Sequence, residues 1–340
     1  MSTRAFTTLA AAALFAIVPQ RALPAGSGSV DWTDKYDFLR YGAIDWSENA
    51  ESIIAIDASN LGIDAVPNRL FAAGNLEVLD LSGNELANSA AVAEALSKFA
   101  HLEILHLGRN PLKTLGPEWR FLADSPNIKV LSFSSARLER IDDAVFAGSS
   151  LEILSLFGNS LSELPEGICG AAELQKLLVG KNRLISLPMR LSKLPRLKRL
   201  QADHNKLTAT GIHSLPVALE TIILDANNLT EFPQAIRSLS NLSDLSVGEN
   251  AITELPEWLS QLPIQYLNLR ENQIRVLPPW LVEMSELEGI DVTGNPLEDL
   301  SILKALQERG VDVFRDDPDF LPQRRPEPGM NGPKNGPARK

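Results

Sequence analysis

One cysteine, Cys169, among 340 residues leaves this chain no internal disulfide, no CxxC zinc site and no cysteine-capped ends. Positive charge is also scarce: 32 Lys and Arg stand against 43 Asp and Glu, for a formal net charge of −11. That balance argues against a general nucleic-acid binder, whose affinity comes mainly from Lys and Arg neutralising phosphates. Beyond residue 25 no stretch approaches the ~18 apolar residues of a membrane span, and no cysteine stands where a lipid anchor would need one. His101, His106, His204 and His213 show no HExxH spacing, and there is no GxxxxGK phosphate loop, GxSxG elbow or kinase signature. Neither a cofactor, a metal nor an enzymatic activity is expected.

What is present is an asparagine that recurs at Asn84, Asn110, Asn159, Asn182, Asn205, Asn227, Asn250, Asn272 and Asn295. Each has aliphatic residues five and three positions before it and two after. Leu242, Leu245, Val247, Asn250, Ile252, Leu255 and Pro256 form one copy of LxxLxLxxNxLxxLP; Leu151 to Pro165 form another. The same frame recruits two copies without the asparagine, one from Ile53 and one from Ile128. Eleven copies result, spaced by 22, 23 or 26 residues. A fixed period of this size marks a solenoid, because one short coil cannot bury its apolar face alone. Within each copy xLxLx alternates with period two, which suits a strand with one face inward. The asparagine turns the chain away, its amide free to bond backbone groups of neighbouring coils.

These residues resemble the leucine-rich repeat family, in its 23-residue form with a Leu-Pro step, over residues 50–301. The resemblance implies an α/β solenoid: a right-handed horseshoe of about eleven repeats, with a curved parallel sheet on its concave face and extended or short helical segments outside. Members of that family bind unrelated targets through variable positions, so the resemblance implies a protein partner without naming one.

The ends differ from the array. Residues 1–25, with Arg4, an apolar stretch from Leu9 to Val18 and Ala25 preceded by Leu23, read as a secretory signal peptide. Cleavage there would remove Arg4 and Arg21 and no acid, giving an exported product, periplasmic or secreted; without it the protein is cytoplasmic. Residues 26–49 carry Trp32, Tyr36, Phe38, Leu39, Tyr41 and Trp46 and read as the N-terminal cap that an exposed solenoid end requires. Residues 302–320 read as the opposite cap, with Ile302, Leu303 and Leu306 at helical spacing, Gly310 as a stop, and Val311 and Val313 alternating as a last strand. Residues 321–340 form a basic tail rich in Pro and Gly, a composition that builds no core. In the first 26-residue interval, Val92, Leu96 and Phe99 predict a helix on the convex side. Trp258 and Trp280, eight residues after successive asparagines, are expected side by side on the outside.

Function is sought on the concave sheet, where residues two, four and six before each key position should face solvent. Reading these lanes across successive copies brings Ile153, Phe157, Leu178 and Ile223 together near the middle. Lys176, Arg199, Gln201, Asp203, Asp225, Tyr266 and Arg270 surround them. An apolar centre with a charged rim is the make-up of a protein-binding hot spot. Asp203 and Asp225 occupy equivalent slots on adjacent strands, as a retaining glycosidase would need, but an open sheet lacks the pocket that raises one carboxyl pKa. Ser246, in an outward lane, is expected to tolerate alanine. The sequence thus predicts a monomeric, non-catalytic module for a protein partner. The alternatives are a receptor for a glycan or cell-envelope ligand, using Tyr266 and Phe157, and a signalling adaptor acting inside a cell.

Overall fold

The computed structural model describes residues 39–47 and 50–316. The signal-peptide reading, most of the N-terminal aromatic cluster and the basic tail lie outside these residues. Thirteen parallel strands form one sheet in chain order, and two further short strands, β5 (Thr114–Leu115) and β7 (Arg140–Ile141), pair outside it. Eleven of them are three-residue strands of the repeats, from β2 at Ala55–Asp57 to β14 at Gly289–Asp291. β1 (Leu39–Arg40) precedes them and β15 (Asp312–Phe314) follows. Each strand pairs with the equivalent residues of the next coil, as in Leu200 with Leu177 on one side and Ile222 on the other. The middle residue of every strand points inward, so Ile56, Leu79, Leu105, Leu131, Leu154 and their successors are fully buried. One continuous core runs the length of the array, as expected where each coil contacts only its neighbours.

The asparagines hold the coils together. Asn159 Nδ2 donates to the carbonyl of Leu156 in its own turn at 2.8 Å and to Phe133 of the preceding coil at 2.9 Å. Its Oδ1 accepts the Leu138 N–H at 2.9 Å. The pattern recurs from Asn84 to Asn295. Where Ala136 replaces the asparagine, the Leu112 N–H turns to the Ala136 carbonyl at 3.2 Å. The residue before each key position has positive φ in all eleven coils: Gly83, Gly158 and Gly294, but also Arg109, Ser135, Lys181, His204, Ala226, Glu249, Glu271 and Asn60.

The Leu-Pro step begins the outer segment. Pro67, Pro165, Pro233, Pro256 and Pro278 each precede a short 3-10 turn and accept the N–H three residues on. Proline fits because its restricted φ, between −58° and −73° at these five positions, is the one the entry to the turn takes. In the first long coil the outer segment becomes a helix, α1 (Ser89–Leu96), capped by the Asn88 side chain and burying Val92 and Leu96. The second long coil carries the short helix α2 (Phe121–Asp124) and buries Trp119, whose Nε1 donates to Ser89 Oγ at 2.7 Å. Trp258 and Trp280 occupy equivalent slots in the outer segments of successive coils, as the spacing predicts. Both are half-buried, and Trp258 packs edge-on against Phe232 at 6.3 Å; no ring contact joins the two among the described residues. A partly covered core under each ring draws it inward.

Both described ends are covered. Tyr41 and Trp46 tilt together at 5.6 Å over the first coil. At the other end α3 (Ser301–Glu308) buries Leu303 and Leu306, Gly310 takes φ +92°, and β15 closes the sheet. Arg309 donates to the carbonyls of Val282, of Met284 at 2.6 Å and of Leu287 at 3.1 Å, which ties the closing segment to the outer side of the last coil.

Candidate binding face

Strand register produces the lanes directly. Ile153, Lys176, Arg199, Thr221, Asp244 and Tyr266 pair in one row; Ser155, Leu178, Gln201, Ile223, Ser246 and Asn268 pair in another. Phe157, Asp203, Asp225 and Arg270 follow just past the strand ends. The eleven candidate residues therefore share one face, but they are not equally open to it.

Lys176, Leu178, Arg199, Tyr266 and Arg270 are half-buried and reach solvent. Ile223 is 1% exposed and Phe157 8%, while Gln201, Asp203 and Asp225 are buried. For these five the expectation of a solvent-facing position is overturned. Neighbouring strands stand about 4.8 Å apart, so side chains on the inside of a curve cover one another. Phe157 is also overlaid by Lys181, whose Nζ lies 5.5 Å from the ring centroid. Ile153 joins a different group: it packs on a stripe of Ala55, Val78, Ile104 and Val130 along the first coils.

The buried polar residues form a network. Both carboxylate oxygens of Asp225 receive the Ser246 hydroxyl, at 2.6 and 2.7 Å, and Oδ1 also accepts the Gly248 N–H at 2.6 Å. Asn268 Nδ2 donates to Ser246 Oγ at 2.8 Å. Burial pushes the Asp225 carboxyl up to about 6 despite the hydrogen bonds from Ser246 and Gly248 and the charge of Arg270, which act the other way. Asp203 accepts from Gln201 Nε2 at 2.9 Å and contacts His204 Nδ1 at 2.9 Å. Space is tight: a Cβ on Gly180 would lie 2.4 Å from Asp203 Oδ1, and one on Gly248 2.9 Å from Arg270 Cγ.

The open members carry charge that is partly stripped of water. Burial lowers the pKa of Arg199, opposed by Asp244 and Asp203, and that of Lys176, which Arg199 lowers further. Asp244 is raised by burial and bound by Ser243 Oγ at 2.6 Å. Tyr266 donates its hydroxyl to Glu288 at 2.7 Å, and burial together with that bond pushes it up to about 12. Arg270 pairs with Glu249. Both Asp225 oxygens are engaged by Ser246, and Asp203 and Asp225 are both buried. No group of metal-ligating side chains occurs among the described residues, and no described helix is long and apolar enough to cross a membrane. The sequence lanes did not single out Ser246 or Asn268 as members of a site; their polarity in a row of otherwise variable residues was the available signal.

Two leucine-rich repeat models match the chain, over residues 75–99 and 100–161. A comparison with curated proteins finds no match. Among solved structures, a leucine-rich repeat protein of Leptospira interrogans is 27% identical over 78% of each chain, with a TM-score of 0.55. An internalin of Listeria monocytogenes (18% identity, 81% of this chain and 89% of that one, TM-score 0.56) shares the fold. So does the leucine-rich repeat unit of FLRT2 (23%, 79% and 87%, TM-score 0.62), solved in an octameric complex with latrophilin 3 and Unc5D. The repeat pattern, the thirteen-stranded parallel sheet and these likenesses agree that the chain is a leucine-rich repeat protein.

Proposed function

We propose that this protein is a non-catalytic module that holds a protein partner on its concave face, centred on Leu178. Leucine-rich repeats commonly mediate binding between proteins, and FLRT2 was solved in such an assembly. The observation that carries the placement is the pair Lys176 and Arg199 beside Leu178, cations already half-buried and in register on adjacent strands. Part of their desolvation cost is met in the free protein, so a carboxylate on the partner gains more from them than from fully hydrated side chains. The partner surface that fits has an apolar side chain opposite Leu178 and acids opposite the two cations. Phe157, Ile223, Gln201, Asp203 and Asp225 support this surface from beneath, and a rigid array orders few groups on binding.

The test is photo-crosslinking in the native host, with a photoreactive residue at position 178 and a control at position 258 on the convex side. Crosslinks to a protein from position 178, abolished by Arg199→Glu, support the reading; crosslinks from position 258 alone refute it. We also propose that the protein is exported, on the strength of Arg4, the apolar stretch Leu9 to Val18 and Ala25. N-terminal sequencing of protein recovered from cell fractions decides that point. A start at Gly26 outside the cytosol supports export, and an intact Met1 in the cytosol overturns it.

A further inference from the structure

The first four coils and the chain entering them enclose an open recess of about 520 Å³. Ser59, Ser82, Gly108 and Ser134, equivalent positions on successive coils, line it with small side chains. At Gly108 smallness is obligatory, since a Cβ would lie 2.7 Å from the Ser134 carbonyl oxygen. Asp57, Asp80 and His106 stand in register on three adjacent strands and line the same recess. Arg40 and Arg109 line it as well, as does Tyr41, whose ring packs beside Trp46.

Much of the hydrogen-bonding capacity here is unused. Asp57 and Asp80 each accept one backbone N–H on Oδ1, from Ser59 at 3.0 Å and Ser82 at 2.8 Å; no described residue donates to either Oδ2. Arg40 and Arg109 pair with no carboxylate among the described residues. The hydroxyls of Ser132, Ser134 and Ser155 form a chain at 3.1 and 2.8 Å, in which either member of each pair can donate. Burial holds the His106 imidazole below its ordinary pKa against the pull of Asp80. Two acids and two guanidinium groups leave the recess without formal net charge.

We propose that this recess binds a neutral saccharide. A phosphate would meet Asp57 and Asp80, an ammonium would meet Arg40 and Arg109, and an apolar ligand would offer nothing to the two Oδ2 atoms or to the two arginines. A sugar ring supplies O–H groups to the free carboxylate oxygens and lone pairs to the guanidinium N–H groups while adding no charge. The small floor residues admit a flat ring, and the volume is that of a small-molecule site. This site lies on different coils from the protein-binding rows and stands or falls independently of them.

The experiment is saturation-transfer NMR with calorimetry on the full chain, using glucose, galactose, N-acetylglucosamine, maltose, lactose and chitobiose. At least one of these is expected to bind more tightly than about 10 mM. Asp80→Asn keeps a carbonyl oxygen for the Ser82 N–H, as Asn268 does for Arg270 at 3.0 Å, but turns the free acceptor edge into a donor. Arg109→Gly removes the guanidinium and suits the φ of +55° at that position. Each variant should unfold no earlier than the wild type, and each should weaken binding about tenfold or more. Absence of binding by all six sugars, or binding unaffected in both variants, overturns the proposal. So does binding of inorganic phosphate or trilysine in their place, which would assign the recess to an ion.

Discussion

Asn159 shows how a single side chain acts in this fold. Its amide spans two coils, and alanine there would strand the Leu138 N–H and weaken the satisfaction of the Phe133 and Leu156 carbonyls. Asn159→Ala should therefore cost about 2–4 kcal/mol, read as a lower urea midpoint together with faster hydrogen exchange at the Leu138 amide. Unchanged exchange at Leu138 would show that backbone alone holds the turn, as it does at Ala136. The neighbouring positive-φ position predicts the opposite sign. Ala226 sits at φ +53° with only a methyl group to lose. A left-handed L-residue costs about 1–2 kcal/mol, part of which glycine returns through its greater freedom when unfolded. Ala226→Gly should raise stability by about 1 kcal/mol, visible as a higher urea midpoint at constant slope.

At the scale of a coil, adjacent side chains on one strand differ in kind. Leu245→Ala should cost about 2–5 kcal/mol through the cavity it leaves in the core. Ser246, expected from its lane to tolerate alanine, is 0% exposed and is the hydroxyl that Asp225 and Asn268 share. Its replacement by alanine should cost about 1–3 kcal/mol, because a buried carboxylate loses a donor and an amide loses its acceptor. Asp225 also sets a pH dependence. Burial pushes its carboxyl up to about 6 in the folded protein from an ordinary value of 3.8, so the folded state holds its proton more tightly than the unfolded one. Stability from this group is present below about pH 4 and is lost as pH rises to about 6, with a total of about 3 kcal/mol. Asp225→Asn keeps an acceptor for Gly248 and should be more stable than the wild type at pH 7 but not at pH 4. Denaturation at the two pH values, giving equal differences, would disprove the assignment.

For the whole molecule, ends matter more than middles. A chain ended at residue 300 lacks α3 and β15, leaving Ile290 and Val292 without cover and the carbonyls of Met284 and Leu287 without Arg309. In a solenoid such a loss falls first on the nearest coils. Amides of residues 266–292 should exchange faster in the truncated chain while those of residues 104–132 keep their protection. Uniform loss of protection would mean that the array unfolds as one unit.

The period of leucines and asparagines by itself determined the register of all eleven coils and the parallel sheet, and the helical spacing of Ile302, Leu303 and Leu306 determined the closing helix ahead of Gly310. The period could do so because each coil meets only the coils before and after it, so a repeating spacing is already a statement about contacts. It also put Leu178, Lys176 and Arg199 on one face. Only the tertiary structure decided which lane residues reach solvent. Ile223 and Phe157 are apolar in a lane read as open, yet they are covered by side chains of neighbouring strands, 22 or more residues away in sequence. The same crowding gave Asp225 and Ser246 their bond and raised the Asp225 pKa. It also left room under Ser82 and Gly108, where four successive coils carry small residues, because the size of a recess depends on what its neighbours lack.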